Sequence, residues 1–166
     1  AVIDCKAALD WLEGQGYRKF AILGTSIGSC VALITAAHDE RLTVHVQNHI
    51  SSYFADVVWR GISTRHVRVA LEGRITLEDL RKIWLTISPK PYFKKLKGTN
   101  KQALLVHALY DYSFPPDLSQ EVVRDFRDLG LRHSTFALRC GHYTSGVFPF
   151  NVVLGYAMCR YIRQTL

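Results

Sequence analysis

Cysteine is scarce and scattered. Cys5, Cys30, Cys140 and Cys159 are the four in 166 residues, and no two stand in a C-x-x-C pair. That spacing argues against a disulfide framework or a zinc cluster and fits reduced thiols in the cytoplasm. Long apolar runs are lacking too. The longest, residues 147–159, is broken by Pro149 and Asn151, and a bilayer span needs about 20 apolar residues. No basic segment leads into an apolar one at the start, so no secretory signal is read there. Acidic residues are outnumbered, 14 against 21, for a net charge of +7. The basic ones gather in one region, with Arg60, Arg65, Arg68, Arg74, Arg81, Lys82, Lys90, Lys94, Lys95 and Lys97. A nucleic-acid footprint would join such a stripe to a reader motif. No zinc finger, RNP-like aromatic motif or glycine–lysine phosphate loop accompanies it, so it is read as a solvated face.

What is present is the composition of an ordinary globular domain, 48% hydrophobic and long enough to bury a core without staples. Val2, Cys5, Leu9 and Leu12 recur at helical spacing, and Gly14 and Gly16 end that helix. "FAIL", residues 20–23, has no polar alternation and reads as a strand buried on both faces. After a sharp turn, "IGSCVALITAAHD" is apolar and long enough for a buried helix. Further strands are expected over 42–50, 103–109 and 134–138, with a helix opening at Pro115, Pro116 and Asp117 and a closing helix over 151–164. Strands separated by helices predict an α/β protein: a mostly parallel sheet flanked by helices on both sides.

One stretch breaks that rhythm. Residues 51–101 hold helical patterns but no strand, including "TLEDLRKIWLTI" with Thr76 as N-cap and Glu78 and Asp79 in the first turn. This insertion at about 51–101 is read as a helical cap over one end of the sheet, within a single unit covering residues 1–166.

In a parallel sheet, chemistry gathers at the carboxyl ends of the strands. Ser26 follows the first strand inside Gly24-Thr25-Ser26-Ile27-Gly28, a G-x-S-x-G pentapeptide; Asp111 follows the third and His142 the fourth. The order serine, acid, histidine, with the serine between strand and helix, is that of a nucleophile elbow. Glycines at 24 and 28 would leave room for a strained turn. The next helix would aim its free amides at the serine, favouring anionic charge there. Serine needs a base to take its proton, histidine titrates near the working pH, and a carboxylate fixes the imidazole tautomer.

With these residues in place, the chain resembles the α/β-hydrolase superfamily, its esterase and lipase-like branch above all. "LGTSIGS" is similar to the nucleophile elbow, "LVHALYDYSFPPD" to the acid-bearing loop and "LRCGHYTSG" to the histidine loop. The resemblance implies a serine hydrolase that cleaves a small-molecule carboxylic ester or related acyl bond through an acyl-enzyme. Ser26, His142 and Asp111 would be nucleophile, base and orienting acid, with no metal and no cofactor. It also implies about eight strands, and four are read here, corresponding to the second half of that fold. The chain begins at Ala1 rather than Met, and a fragment is expected. Only the backbone amide of Ile27 can then be assigned to the oxyanion hole, so intact triad residues need not suffice for activity in this chain. The first strand would leave an open edge, which would pair with an N-terminal half or with a second copy. Two alternatives use the same residues: an acyltransferase, and a non-catalytic α/β-hydrolase-like binding module.

Other side chains have plainer readings. Asp117 suits a helix N-terminus. His45, His49 and His107 read as hydrogen-bonded core or rim residues, Thr144 and Ser145 as loop caps, and Cys140 as a small apolar residue ending a strand. Tyr53, Phe54, Trp59 and Trp84 read as the cap's own core, with lining of an acyl pocket as the alternative.

Overall fold

The computed structural model describes all 166 residues. Helix α1 (Val2–Gly14) buries only Leu9, which packs with Phe20, Ala36 and Leu42, while Ile3 and Trp11 face outward. Strand β1 (Phe20–Thr25) runs into the serine turn and helix α2 (Ile27–Ala36), and strand β2 (Leu42–Asn48) follows. Strand β3 (Gln102–Ala108), helix α7 (Pro116–Asp128), strand β4 (His133–Leu138) and helix α8 (Phe150–Thr165) complete the layered part. The four strands are parallel and lie in chain order, β1-β2-β3-β4.

Strand β3 shows why the sheet is sandwiched. Its alternate residues Ala103 and Leu105 join Leu33 of α2 with Val122 and Phe126 of α7. The intervening Leu104, Val106 and Ala108 meet Leu154 of α8, with Met158, Tyr161 and Ile162 around them. Both faces are covered, so a run without polar alternation is what the strand requires. Each such side chain removed from water contributes about 1.5–3 kcal/mol.

Strand β1 departs from expectation. It was read as buried on both faces, yet only Phe20 and Gly24 of its six residues are buried, and Leu23 is 43% exposed. The cause is its position: β1 has one neighbour, β2, and forms an edge of the sheet.

Between β2 and β3 the chain makes short helices and no strand: α3 (Phe54–Arg60), α4 (Arg65–Leu71), α5 (Leu77–Ile83) and α6 (Phe93–Leu96), joined by 3-10 turns. Thr76 caps α5 as read, in a reciprocal arrangement with Asp79. The start of this segment reaches the carboxyl end of the sheet, where the Ile62 amide donates to the Tyr112 carbonyl. Its end does something else: Phe93 and Leu96 of α6 are buried in the side layer with Leu33, Leu105 and Phe126. Part of the basic stripe is paired. Arg60 meets Asp117, Arg68 meets Glu72, Arg81 meets the buried Asp56, and Lys90 meets Asp125.

Candidate active site

Ser26, His49, Asp111 and His142 all lie just beyond the carboxyl ends of strands, one per strand from β1 to β4. Parallel pairing puts those ends at one rim. Ser26 has φ 58° and ψ −128°, a left-handed conformation that an L residue rarely adopts. Its amide donates to the Asn48 carbonyl at 2.8 Å, and the Ser29 hydroxyl lies 2.6 Å from the Ser26 carbonyl and 2.8 Å from that of His49. These contacts tie the turn to the end of β2 and hold a strained serine in place.

The two glycines of the turn are not equivalent. A Cβ on Gly24 would run into the Gly28 carbonyl and sit 2.7 Å from the Ser29 amide nitrogen. At Gly28 a Cβ would meet nothing within 4 Å, so the expectation that both positions need glycine for room is corrected: the steric demand falls on Gly24. Ile27 opens α2, and the first amides of a helix have no intrahelical acceptor. Its N–H is therefore available beside the serine.

The three residues read from the motifs stand within hydrogen-bond reach. The Ser26 hydroxyl is 3.1 Å from His142 Nε2, and His142 Nδ1 is 2.8 Å from Asp111 Oδ2. The other carboxylate oxygen, Oδ1, accepts the backbone amides of Ser113 and Phe114, each at 2.7 Å. Asp111 is 2% exposed, and burial works against its charge. The His142, His49 and Phe114 donors outweigh that effect and hold the carboxyl well below the usual carboxylate range. Phe114 stacks on the His142 ring at 5.4 Å and 6°, which fixes the imidazole plane. The Ser145 hydroxyl donates to the His142 carbonyl at 2.6 Å, and Thr144 Oγ1 accepts from the Gly141 amide at 2.7 Å. Both are loop caps, as read.

One residue of the site was read only as a hydrogen-bonded core or rim histidine. His49 is 1% exposed, has φ 60°, and places Nδ1 2.9 Å from Asp111 Oδ2 and its ring 4.5 Å from that of His142. The strand expected over 42–50 enclosed it; β2 ends instead at Asn48, which leaves His49 as the first residue beyond, on the rim where Ser26, Asp111 and His142 were sought. His45, by contrast, sits deep in the same strand against Gln47 and Phe126, and burial pushes its imidazole down to about 4.

The nitrogen and oxygen atoms of His49, Asp111 and His142 lie within 4.8 Å of one another, close enough to be tested as a metal site. Tetrahedral ligands about 2.0–2.1 Å from zinc stand roughly 3.3 Å apart. The 2.8 and 2.9 Å separations here are hydrogen-bonding distances between the groups themselves, so the arrangement fits a proton network and not a ligand set. The thiol of Cys140 is buried and pushed upward, chiefly by burial, which disfavours a thiolate nucleophile.

Beside Ser26 is a cavity of about 240 Å³. Phe54, Val57 and Phe114 give it apolar walls, and Ser63, Ser113 and Tyr143 give it hydroxyls. The Tyr143 hydroxyl donates to Ser63 Oγ, which in turn touches Ser113 Oγ. Of the inserted segment's aromatics, only Phe54 reaches this cavity; Trp84 packs behind it, Tyr53 lies under Arg81 and Trp59 under Arg68. Asp117 pairs with Arg60 at the start of α7 and stands apart from His142.

No protein-family model and no curated protein matches the chain. Solved structures do. An acylaminoacyl peptidase of Pyrococcus horikoshii superposes with a TM-score of 0.77 at 20% identity, over 96% of this chain and 26% of that one. Esterase B of Lactobacillus rhamnosis superposes with a TM-score of 0.70 at 15% identity, over 99% of this chain and 60% of that one. An α/β-hydrolase enzyme from a lagoon-sediment metagenome gives 0.55 at 20% identity, over 94% and 68%. The chain thus spans about a quarter of the peptidase's length and three-fifths of the esterase's. A peptidase and an esterase both stand among these structures. Likeness at these identities speaks to architecture, and on it the chain has an α/β-hydrolase fold over part of that fold's extent.

Proposed function

We propose that this chain carries the catalytic residues of a serine hydrolase that cleaves a carboxylic ester or a related acyl bond of a small molecule. The observation that supports this reading is the unbroken line from the Ser26 hydroxyl through His142 to the carboxylate of Asp111, with contacts of 3.1 and 2.8 Å.

In the proposed mechanism, His142 Nε2 takes the Ser26 proton as Oγ attacks the acyl carbon. Asp111, ionised and fixed by two backbone amides, holds the His142 proton on Nδ1 and stabilises the imidazolium that forms. The Ile27 amide, at the positive end of α2, donates to the developing oxyanion. His142 then passes its proton to the leaving oxygen or nitrogen, and the acyl group remains on Ser26. A water, deprotonated by the same imidazole, attacks the acyl carbon, and Ser26 leaves with its proton restored. Residues 51–101 act as a cap in this reading, with Phe54, Val57 and Ser63 forming one wall of the acyl pocket. A volume of 240 Å³ lies below the 300–1,000 Å³ of drug-sized ligand sites and suits a short or single-ring acyl group.

The experiment is turnover of nitrophenyl esters of increasing acyl length by the protein and its Ser26→Ala variant. Turnover that is confined to short acyl chains and abolished by the substitution is expected. Hydrolysis that persists in a folded Ser26→Ala protein overturns the assignment.

A further inference from the structure

The triad carboxylate serves two imidazoles. His142 Nδ1 and His49 Nδ1 approach the same oxygen, Asp111 Oδ2, at 2.8 and 2.9 Å, from rings whose centres are 4.5 Å apart. His49 is fully enclosed, and its contact with Oδ2 is short but off the N–H axis, so Nδ1 has no well-aligned partner. Its other nitrogen, Nε2, is 3.2 Å from the Ser145 hydroxyl, which itself lies 2.6 Å from the His142 carbonyl.

Proton counting limits what this geometry permits. Ser145 has one hydroxyl proton, and the shorter contact directs it to the His142 carbonyl. Nε2 of His49 then donates to Ser145 Oγ. A bare Nδ1 lone pair 2.9 Å from an anionic oxygen would be repulsive, so in this arrangement Nδ1 is protonated as well and His49 is an imidazolium set against the Asp111 carboxylate. If the Ser145 proton turns to Nε2 instead, Nδ1 must again be the protonated nitrogen. Both arrangements put an N–H against Asp111.

Resting on the hydrolase reading above, we propose that His49 is a positioning residue of the triad, whose protonated Nδ1 shares Asp111 Oδ2 with His142 and so holds the basicity of His142 down. A buried carboxylate facing His142 alone would favour its imidazolium, and a base that is already protonated cannot accept the Ser26 proton. Dividing the oxygen between two donors weakens that bias. His49 is fixed for this by its left-handed backbone at the end of β2, the hydrogen bond its amide donates to the Val106 carbonyl and the one its own carbonyl accepts from the Ser29 hydroxyl. The titratable groups facing it are Asp111 and His142 from the loops after β3 and β4, and His107 from β3, whose imidazole burial and His49 together push down.

The test is nitrogen-15 NMR of the histidines in the full chain at neutral pH, followed by titration of His142 in the protein and in His49→Leu and His49→Gln. A protonated Nδ1 on His49 is expected in the unmodified protein, and a bare one overturns the inference whether or not the variants fold. His49→Leu should raise the His142 midpoint by about one pH unit or more, and His49→Gln, which keeps an N–H donor, should fall between. An unchanged midpoint in folded His49→Leu also overturns it. These readouts need no substrate, so a protein whose Ser26 fails to react would defeat the hydrolase reading without deciding this one.

Discussion

Replacing Asp111 by Asn exchanges one carboxylate oxygen for an NH₂ group and keeps the shape of the side chain. Asn Oδ1 still accepts the Ser113 and Phe114 amides, now at 2.7 Å from the carboxylate, so the loop that carries the residue keeps its fold. The altered group sits where Oδ2 was, 2.8 Å from His142 Nδ1. An NH₂ there can only donate, so His142 must present a bare Nδ1 and carry its proton on Nε2, toward Ser26. The imidazole then cannot receive the serine proton. The same change in a serine protease triad lowers kcat about 10⁴-fold, which at 1.36 kcal/mol per decade is roughly 5.4 kcal/mol of transition-state stabilisation. The assay is kcat for an activated ester beside a denaturation curve for each protein. Asp111→Asn should still fold, lose stability at neutral pH because the NH₂ also faces His49 Nδ1 where Oδ2 stood, and turn over about four decades more slowly. A folded variant that keeps more than a tenth of the activity would refute the role given to Asp111.

Other predictions follow from the same geometry. Ser26→Ala and His142→Ala should each lower turnover by roughly a million-fold, by analogy with triad dissection in a serine protease, and the double variant should be little worse, as kcat measurements will show. Gly24→Ala should lose about 1–3 kcal/mol in urea unfolding because its methyl group meets the Gly28 backbone, whereas Gly28→Ala, open on every side and inside α2, should be unchanged or gain up to about 1 kcal/mol. His45 is depressed to about 4 by burial, against an unfolded value near 6.5. Its contribution is thus complete above pH 6.5 and is lost as pH falls toward 4, a decline of about 3 kcal/mol that His45→Leu should flatten in pH-dependent unfolding. The open edge of β1 predicts self-association of the isolated chain, and a monodisperse monomer in size-exclusion chromatography would contradict that.

The sequence disclosed different parts of this architecture unequally. Strand β3 was legible because both its faces are buried, which writes an uninterrupted apolar run into residues 103–106. Strand β1 carries a similar run, yet Leu23 is 43% exposed; periodicity reports what a strand is suited to, not whether a neighbour lies beside it. Ser26, Asp111 and His142 were found because turn chemistry and strand ends fix where they stand. His49 satisfies the same rule of position, but a lone histidine after a strand has no motif around it, and its left-handed backbone leaves no mark on residue type. The inserted segment was least legible. Phe54 faces the cavity while Trp84, thirty residues later, packs behind it, because docking of α3 on the acid loop decides the orientation. The pairs Arg60–Asp117 and Arg81–Asp56 likewise join residues distant in sequence, so a stripe that reads as a solvated face is partly paired in the fold.

The most direct test of the central claim is a fluorophosphonate reaction followed by intact mass and peptide mapping. One adduct per chain is expected, on the hydroxyl of Ser26, absent from Ser26→Ala and strongly slowed in His142→Ala. A folded protein that stays unlabelled, or an adduct on any other residue, would contradict it.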